Sequence, residues 1–299
     1  DRLRSRGLGD VYKRQVLAVQ YKNSRFTATG SLLGTYITDK VEQGEKPDDK
    51  RRLSPAVSLS WRPFSESTLR IRASYKDIFR VPTFTDLYYL RMGNTNLKPE
   101  ETSQYNVGVT WSSSCGDWLR HFSISADGYY NTVKDKIVAL PTMYVWKMMN
   151  MGEVDIKGVD VNLSTQFRLP LRMSLLLAST YSFQYAVDVT DPEAKNYKDQ
   201  IPYTPRHSGT VSVTLENPWV NVSYILTAVG DRYALPQNID RNRIDSYIEQ
   251  SISINRDFRF RYFGLRLQGE LLNLANVNYD VIQYYPCLLY TSDAADDKA

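Results

Sequence analysis

Histidine and cysteine are scarce in this chain of 299 residues, and their scarcity argues against most kinds of enzyme site. His121 and His207 are the only histidines, and neither stands in a His-x-x-x-His spacing or in a His/Ser/Asp arrangement suited to catalysis. Cys115 and Cys287 provide neither a framework of disulfide bridges nor a metal-binding spacing. We therefore expect no catalytic residue, no metal and no cofactor, and we predict that the protein is not an enzyme.

Long hydrophobic runs and an excess of one charge are also absent. Runs such as 175–178 fall far short of the roughly 18 apolar residues that a membrane-spanning helix needs. The 37 basic and 33 acidic residues are well mixed and leave a net charge of +4, without the basic stripe typical of a nucleic-acid reader. What the chain does have is 42% apolar and 12% aromatic residues, with 22 tyrosines, which excludes disorder.

Strict alternation of apolar and polar residues is the dominant pattern, and it indicates β-strands. In 105–112, for example, Tyr105, Val107, Val109 and Trp111 occupy one face, and small or polar residues occupy the other. No helical periodicity of comparable strength competes with it. We predict about twelve strands, near 16–22, 26–38, 53–62, 68–76, 102–112, 119–131, 156–167, 171–187, 206–216, 219–232, 246–256 and 262–272.

The connections between these strands alternate between short and long. The odd-numbered connections are tight turns such as "NSR" and "NP". The even-numbered connections are long, at 39–52, 77–101, 132–155, 188–205 and 233–245. This alternation predicts an antiparallel up-and-down meander with tight turns at one end and large loops at the other.

Two architectures present alternating strands of this kind. A soluble sandwich buries its apolar face against a second sheet, whereas an outer-membrane barrel turns that face to lipid and its polar face to water. Short turns opposite long loops are typical of the barrel, and strands of roughly ten residues tilted near 40° span about 25 Å of hydrocarbon. We predict an all-β fold: a partial transmembrane β-barrel of antiparallel up-and-down strands.

The two ends of the chain lack this alternation. Residues 1–15 ("DRLRSRGLGDVYKRQ") and 287–299 ("CLLYTSDAADDKA") resemble translated sequencing-adapter read-through. We expect both ends to be non-native, with a disordered natural tail at each end as the alternative. Residues 16–286 are expected to be one partial barrel domain, an internal piece of a longer protein.

Four motifs in order resemble those of TonB-dependent outer-membrane receptors. The first is "FRVPTFTDLYYLRMGNTNLKPEE" (79–101), close to the family pattern F-R-A-P-(S/T)-x-x-(D/E)-L-Y followed by G-N-P-N-L-K-P-E, with Val81 and Thr95 in place of Ala and Pro. The others are "NMGEVDIKGVDVNL" (150–163), "YTPRHSG" (203–209) and "LLNLANVNYD" (271–280). Together they extend the resemblance over nearly all of 16–286.

The resemblance implies a 22-stranded barrel closed by an N-terminal plug, in the outer membrane of a Gram-negative bacterium. Such receptors import scarce, bulky nutrients such as cobalamin, ferric siderophores or haem, and the order of the motifs is slightly closer to the cobalamin receptors. The expected partners are membrane lipid, the substrate and the TonB complex, which acts through the plug. About 12 of the 22 strands, the C-terminal half, are expected here, without the plug.

The motif residues are expected to shape loops rather than to touch substrate. Pro99 suits re-entry into a strand because it fixes φ and lacks an N–H, and Arg80 is expected to pair with Asp86 or Glu100. The resemblance assigns structural roles to Phe79, Arg80, Pro82, Asn96, Leu97, Pro99, Glu100, Gly158, Asn273 and Asn276.

Aromatic and cationic residues of the long loops are the candidates for ligand contact. Aromatic rings supply rigid contact area, and a cation suits an anionic chelate. These candidates are Tyr88, Tyr89, Arg91, Tyr144, Trp146, Lys147, Tyr197 and Tyr233. For each of them, packing between loops is the alternative role.

Two alternative functions stay open from the sequence. An outer-membrane barrel enzyme would need a catalytic dyad, against which the two isolated histidines argue. A soluble β-sandwich adhesin would need its apolar faces packed together, against which the sorting of short and long connections argues.

Overall fold

A computed structural model describes residues 9–40, 50–64, 67–89, 92–141, 146–283 and 285–286. The chain divides into two compact units. Unit 1 comprises Asp1–Val109 and Gly128–Ile156, and unit 2 comprises Thr110–Asp127 and Lys157–Ala299.

The described residues form sixteen strands, one short α-helix (α1, Phe84–Tyr88) and one 3-10 helix (Asp240–Asn242). The first eight strands are β1 Gly9–Lys22, β2 Phe26–Lys40, β3 Lys50–Trp61, β4 Arg70–Arg80, β5 Glu100–Cys115, β6 Leu119–Pro141, β7 Trp146–Leu169 and β8 Met173–Asp188. The other eight are β9 His207–Glu216, β10 Asn221–Val229, β11 Arg232–Tyr233, β12 Arg243–Ile244, β13 Tyr247–Arg259, β14 Gly264–Leu271, β15 Asp280–Ile282 and β16 Tyr285–Pro286.

Twelve of these strands form a single sheet in the order β1-β2-β3-β4-β5-β6-β7-β8-β9-β10-β13-β14. Each strand therefore lies beside its neighbours in sequence, apart from the short pair β11–β12, which lies between β10 and β13 in the chain. A Greek-key sandwich would instead contain crossovers between non-consecutive strands. The predicted up-and-down, all-β fold class, a partial barrel, is confirmed.

The apolar face of the strands is exposed, as a membrane barrel requires. Val107 on β5 is 60% exposed and Leu267 on β14 is 55% exposed, whereas a sandwich would seal both in a dry interior. The alternate face of unit 2 carries polar pairs between strands, including Thr214 Oγ1 with Ser223 Oγ at 2.9 Å and Asn221 Nδ2 donating to Asn255 Oδ1 at 3.1 Å. Apolar side chains on these strands are thus exposed, and in unit 2 polar side chains pair on the opposite face.

One predicted connection is corrected by the structure. The expected long loop at 132–155 is wrong, because β6 continues to Pro141 and β7 begins at Trp146. These strands have 23 and 24 residues, far more than the roughly ten that a bilayer requires. Apolar residues in the extra length, such as Val133 and Val154, are buried. The long connection expected at 77–101 is present at 81–99 and contains the short helix α1.

The start of β1 also differs from the expectation. It begins at Gly9, seven residues before the predicted strand and inside the segment expected to be non-native. The proposed boundaries at 15 and 287 remain predictions, and residues 1–8 and 287–299 lie outside the described residues.

The buried apolar residues collect near the long-loop ends of the strands. In unit 1 they include Leu97, Ile137 and Val154, and in unit 2 they include Val187 and Ile244. Among the described residues, no helix combines the length and apolar character needed to cross a membrane.

Candidate functional site

The motif loop of unit 1, residues 81–99, begins with a capped helical turn. Thr83 is the N-cap of α1: its Oγ1 accepts a hydrogen bond from the Asp86 N–H at 3.2 Å, and Asp86 Oδ2 accepts one from the Thr83 N–H at 2.8 Å. This reciprocal capping box satisfies two backbone donors at the helix start. In the sequence this cap is marked by the spacing Thr-x-x-Asp at 83–86.

Arg80 joins the two ends of the motif loop. Its Nη2 lies 3.2 Å from Asp86 Oδ2, and its Nη1 lies 3.5 Å from Glu100 Oε2. Glu100 also accepts a hydrogen bond from the Ile137 N–H at 3.1 Å, so the pair reaches β6. Both partners expected for Arg80 are therefore engaged at once.

The chain folds back tightly over α1 at Gly93. The Gly93 N–H donates to the Tyr89 carbonyl at 2.8 Å, and the next N–H, that of Asn94, donates to the Asp86 carbonyl at 2.9 Å. A Cβ at Gly93 would lie 2.6 Å from the Leu87 carbonyl oxygen, so only glycine fits this approach without a backbone shift.

Asn150 on β7 fastens the second half of the motif loop. Its Oδ1 accepts from the Lys98 N–H at 2.8 Å, while its Nδ2 donates to the Lys98 carbonyl at 3.1 Å and to the Asp135 carbonyl at 2.7 Å. Asn94 Nδ2 makes a similar bond to the Met148 carbonyl at 3.1 Å. Side-chain amides thus add to the backbone bond from the Met148 N–H to the Met92 carbonyl at 2.9 Å, and Leu97 within this loop is buried.

The predicted ligand contacts of unit 1 lie around this loop. Tyr88 and Tyr89 at the end of α1 are both exposed. Trp146 is half-buried and Lys147 is exposed, and they begin β7 rather than occupying a long loop as expected. Arg91 and Tyr144 lie outside the described residues.

The remaining motif positions of unit 1 are less exposed than the tyrosines. Pro82 is buried, and Phe79 and Pro99 are half-buried. Asn96 is different: its backbone N–H donates to Asn94 Oδ1 at 3.0 Å while its side chain is exposed. The turn at 94–96 therefore depends on the side chain of Asn94 rather than on that of Asn96.

The predicted contacts of unit 2, Tyr197 and Tyr233, are both half-buried. The Lys198 ammonium lies 5.2 Å from the centre of the Tyr197 ring, and the Tyr233 carbonyl accepts from the Tyr203 N–H at 2.7 Å. Tyr233 thereby ties the connection before β9 to the connection after β10.

A buried arginine that no pattern in the sequence indicated links two connections of unit 2 and the start of β13. Arg232 is 4% exposed; its Nη2 donates to the carbonyls of Asp280 and Val281, and its guanidinium lies 5.5 Å from the centre of the Tyr247 ring. That ring stacks on Tyr279 at 3.9 Å. We call Tyr203, Arg232, Tyr247 and Tyr279 the Arg232 cluster.

Tyr203 in this cluster has a raised pKa. Partial burial raises the pKa of its hydroxyl above 10.0, while a hydrogen bond with the Gln283 backbone and the charge of Arg232 act in the opposite direction. Burial prevails because it disfavours the phenolate.

Asn273 and Asn276 have a clear structural reason to be asparagine. Their φ angles are 49° and 48°, in the left-handed region that asparagine tolerates better than most residues. Asn273 Oδ1 accepts from the Val277 N–H, and its Nδ2 donates to the Val277 carbonyl, each at 2.8 Å. This bridge aims Tyr279 back at β13, where its hydroxyl donates to Glu249 at 2.7 Å.

The acidic loop after β8 uses its carboxylates to close turns. Asp188 accepts from the Thr190 N–H at 2.9 Å and from Asn196 Nδ2 at 3.0 Å. Across the described residues, no group of three or more His, Cys, Asp or Glu side chains is arranged to hold a metal ion. Of the two histidines, His121 is exposed, and His207 Nδ1 lies 2.9 Å from the Tyr181 hydroxyl.

Comparison with known proteins decides the family. The sequence profile described as "TonB dependent receptor-like, beta-barrel" matches residues 15–274. The chain belongs to this family. The match includes the motif loop, the connection between β10 and β13 that contains Arg232, and Asn273. These features therefore lie inside a TonB-dependent receptor barrel.

Relatives with assigned names match shorter stretches. Vitamin B12 transporter BtuB of Photobacterium profundum is 32% identical over 100 residues, which is 32% of this chain and 16% of that protein. Vitamin B12 transporter BtuB of Vibrio vulnificus is 33% identical over 85 residues, 28% of this chain and 13% of that protein. These alignments therefore cover only a small part of either relative.

Solved structures share the fold at low sequence identity. The FrpB iron transporter from Neisseria meningitidis has a TM-score of 0.64 at 17% identity, over 94% of this chain and 43% of that one. The ferric citrate transporter FecA has a TM-score of 0.68 at 12% identity, over 91% of this chain and 41% of that one. This chain thus spans less than half the length of the receptors it resembles, and the likeness shows the fold alone.

Proposed function

We propose that the protein is an outer-membrane receptor that imports a scarce, bulky nutrient with energy from the TonB complex. The observation that carries the proposal is the family match over residues 15–274. The exposed apolar face of the strands supports the placement in lipid, since it offers hydrocarbon a continuous surface. In this proposal the protein moves its substrate without changing it chemically.

Cobalamin is the substrate class we propose first. The two named relatives at 32% and 33% identity are both vitamin B12 transporters. Iron and copper transporters share the fold at 12–17% identity, which carries no information on substrate. Ferric siderophores and haem are therefore the competing substrates that the experiment must separate.

The proposed contact surface of unit 1 consists of Tyr88, Tyr89, Trp146 and Lys147, together with Arg91 and Tyr144. The exposed rings of Tyr88 and Tyr89 stand at the end of a helix held by Thr83, Asp86 and Arg80. Rigid aromatic surface binds with little loss of side-chain entropy. Tyr197 and Tyr233 are the proposed contacts of unit 2.

Uptake in cells tests the function. The gene for the full-length protein is expressed in a Gram-negative host that lacks its own cobalamin receptor, and uptake of radiolabelled cyanocobalamin is measured with and without tonB. We expect uptake above the empty-vector level that disappears when tonB is deleted. Uptake of haem or a ferric siderophore instead of cobalamin would overturn the substrate class, and uptake independent of tonB would overturn the receptor function.

The contact surface is tested with binding measurements on the purified receptor. Tyr88→Ala combined with Tyr89→Ala should weaken cobalamin binding roughly tenfold or more, as the loss of two aromatic contacts does at other binding sites. Tyr21→Ala, which removes an exposed tyrosine beside a tight turn, is the matched control. Equal affinity of the double variant and the control would remove Tyr88 and Tyr89 from the site.

A further inference from the structure

The tip of the β13–β14 hairpin in unit 2 carries an exposed stack of aromatic rings. The turn at 260–263 is closed by the Phe260 N–H, which donates to the Phe263 carbonyl at 2.9 Å. The rings of Phe258 and Phe260 lie 6.4 Å apart, and those of Phe260 and Phe263 lie 4.6 Å apart. Tyr262 at the apex is 86% exposed.

Arginines are interleaved with these rings. The Arg256 guanidinium lies 4.6 Å from the centre of the Phe258 ring, and that of Arg261 lies 5.6 Å from the centre of the Tyr262 ring. Arg259 is a third exposed cation at the tip. Cation–π contact with these rings holds the side chains of Arg256 and Arg261 beside the hairpin and does not neutralise their positive charge.

The acid nearest in sequence to this tip is already engaged. Arg266 binds both carboxylate oxygens of Asp257, through Nε at 2.6 Å and Nη2 at 3.0 Å. The segment 256–266 contains four arginines and this single acid. Three positive charges are therefore left over at the end of the hairpin.

Arg256 lies on the exposed apolar face of the hairpin. In the β13–β14 register Arg256 stands opposite Leu267, and Phe258 stands opposite Leu265, so the arginine shares the exposed apolar face with both leucines. A cation on a lipid-facing surface is costly unless it reaches the interface and meets anionic groups there. Aromatic rings favour the same depth, at the boundary between head groups and hydrocarbon.

We propose that this hairpin tip binds anionic phospholipid in the leaflet on the side of the tight turns. The phosphate of the lipid pairs with Arg256 and Arg261, the stacked phenylalanines lie at head-group depth, and the acyl chains follow Leu265 and Leu267. The inference rests on the membrane placement proposed above, and the experiment separates the two.

The test uses the full-length receptor reconstituted into vesicles of phosphatidylcholine with 20 mol% phosphatidylglycerol. Stable integration is measured first, by flotation after a carbonate wash. The receptor is then extracted in mild detergent, and the affinity for each lipid is measured by titration in native mass spectrometry. We expect the wild-type receptor to bind phosphatidylglycerol more tightly than phosphatidylcholine.

Three double variants define the site. Arg256→Gln with Arg261→Gln should weaken phosphatidylglycerol binding roughly twenty-five-fold, from about 1 kcal/mol for each cation near an anionic surface. Arg256→Lys with Arg261→Lys should keep most of the preference, because the charge is kept. Lys195→Gln with Arg241→Gln removes two exposed cations from the long connections of the same unit and should leave the preference unchanged.

Each other result overturns a defined part of the inference. Failure of the wild-type receptor to integrate into any vesicle overturns both the membrane placement and the lipid site. Integration with equal affinity for the two lipids, or an equal loss in the Gln pair and the long-connection control, overturns the lipid site alone. Competition by soluble glycerol 3-phosphate at the lipid's own concentration overturns the lipid as occupant.

Discussion

Arg80 and Asp86 form an ion pair across the start of the motif loop, with Nη2 of the arginine 3.2 Å from Oδ2 of the aspartate. The Asp86 carboxylate is mostly buried and also accepts the Thr83 N–H that caps α1. The same arginine reaches Glu100 at the far end of the loop. One side chain thus couples the helix cap to the strand that follows it.

Replacing Arg80 should loosen the whole motif loop. Arg80→Gln leaves the Asp86 carboxylate without its cation and should lower the free energy of unfolding by about 1–2 kcal/mol. Hydrogen exchange of the amides at 92–98 should accelerate in the variant. Arg70→Gln, which changes an exposed arginine at the start of β4, is the control. Equally fast exchange of amides 92–98 in this control would contradict the coupling of the helix cap to β5 through Arg80.

Asn150 should matter more for stability than Asn96, although both stand in family motifs and only Asn96 was expected to have a structural role. Asn150→Ala removes three hydrogen bonds to the backbone of Lys98 and Asp135 and should cost about 1–3 kcal/mol. Asn96→Ala keeps the backbone N–H that the turn uses and should change stability by less than about 0.5 kcal/mol. Urea unfolding in detergent micelles measures the free energy of unfolding of both variants. Equal losses in the two variants would show that the hydrogen bonds of the Asn150 side chain do not stabilise the motif loop.

Gly93 should not tolerate a side chain. A Cβ there would lie 2.6 Å from the Leu87 carbonyl oxygen and 2.7 Å from the Tyr89 nitrogen, so Gly93→Ala must displace the turn over α1. We expect a loss of about 1–3 kcal/mol and faster proteolysis within the motif loop. Gly30→Ala on β2, where no atom lies within 4 Å of the added carbon, should be cut at the wild-type rate.

The two left-handed asparagines after β14 should respond differently to replacement. Asn273→Ala combines the left-handed strain, about 1–2 kcal/mol, with loss of both bonds to Val277. Asn276→Gly keeps its backbone N–H bond to the Asn273 carbonyl and accommodates the positive φ, so we expect little change. Thermal unfolding of the two variants compares them directly, and a larger fall in Tm for Asn276→Gly would contradict this account.

Tyr203 should make the Arg232 cluster sensitive to high pH. Because burial raises its pKa above 10.0, folding favours the neutral phenol. This contribution to stability is complete below about pH 10 and is lost as the pH rises through the shifted pKa. Absorbance at 295 nm of the wild type minus that of Tyr203→Phe should show a tyrosine that titrates above pH 10; a difference titration centred at or below pH 10 would refute the shift.

Periodicity predicted the sheet well because apolar and polar residues alternate along each strand, and this alternation can be read from the strand's own sequence. Tyr105, Val107 and Trp111 alternate with polar or small neighbours, and the structure exposes all three. The motif loop was harder to predict. Its aromatic residues and prolines indicated a special loop, but the helix at 84–88 depends on the capping box at Thr83 and Asp86, a pattern too short to outweigh the prolines around it.

The extended hairpin of β6 and β7 was missed for a different reason. The strand residues beyond those needed to cross a bilayer are stabilised by pairing with the neighbouring strand and by burial of side chains such as Val133 and Val154. Neither the pairing nor the burial can be recognised from a local sequence pattern. Trp146 and Lys147 therefore begin a strand, although the sequence placed them in a loop.

The sequence by itself determined the strand pattern, the alternation of tight turns with long connections outside the β6–β7 hairpin, and the family, because these depend on local periodicity and on motifs in order. The tertiary structure decided which polar residues carry the connections. Arg232, Asn150 and Glu249 gain their partners only when segments distant in the chain meet. A hydrogen bond between such segments depends on distances that the fold sets, and no local pattern encodes them.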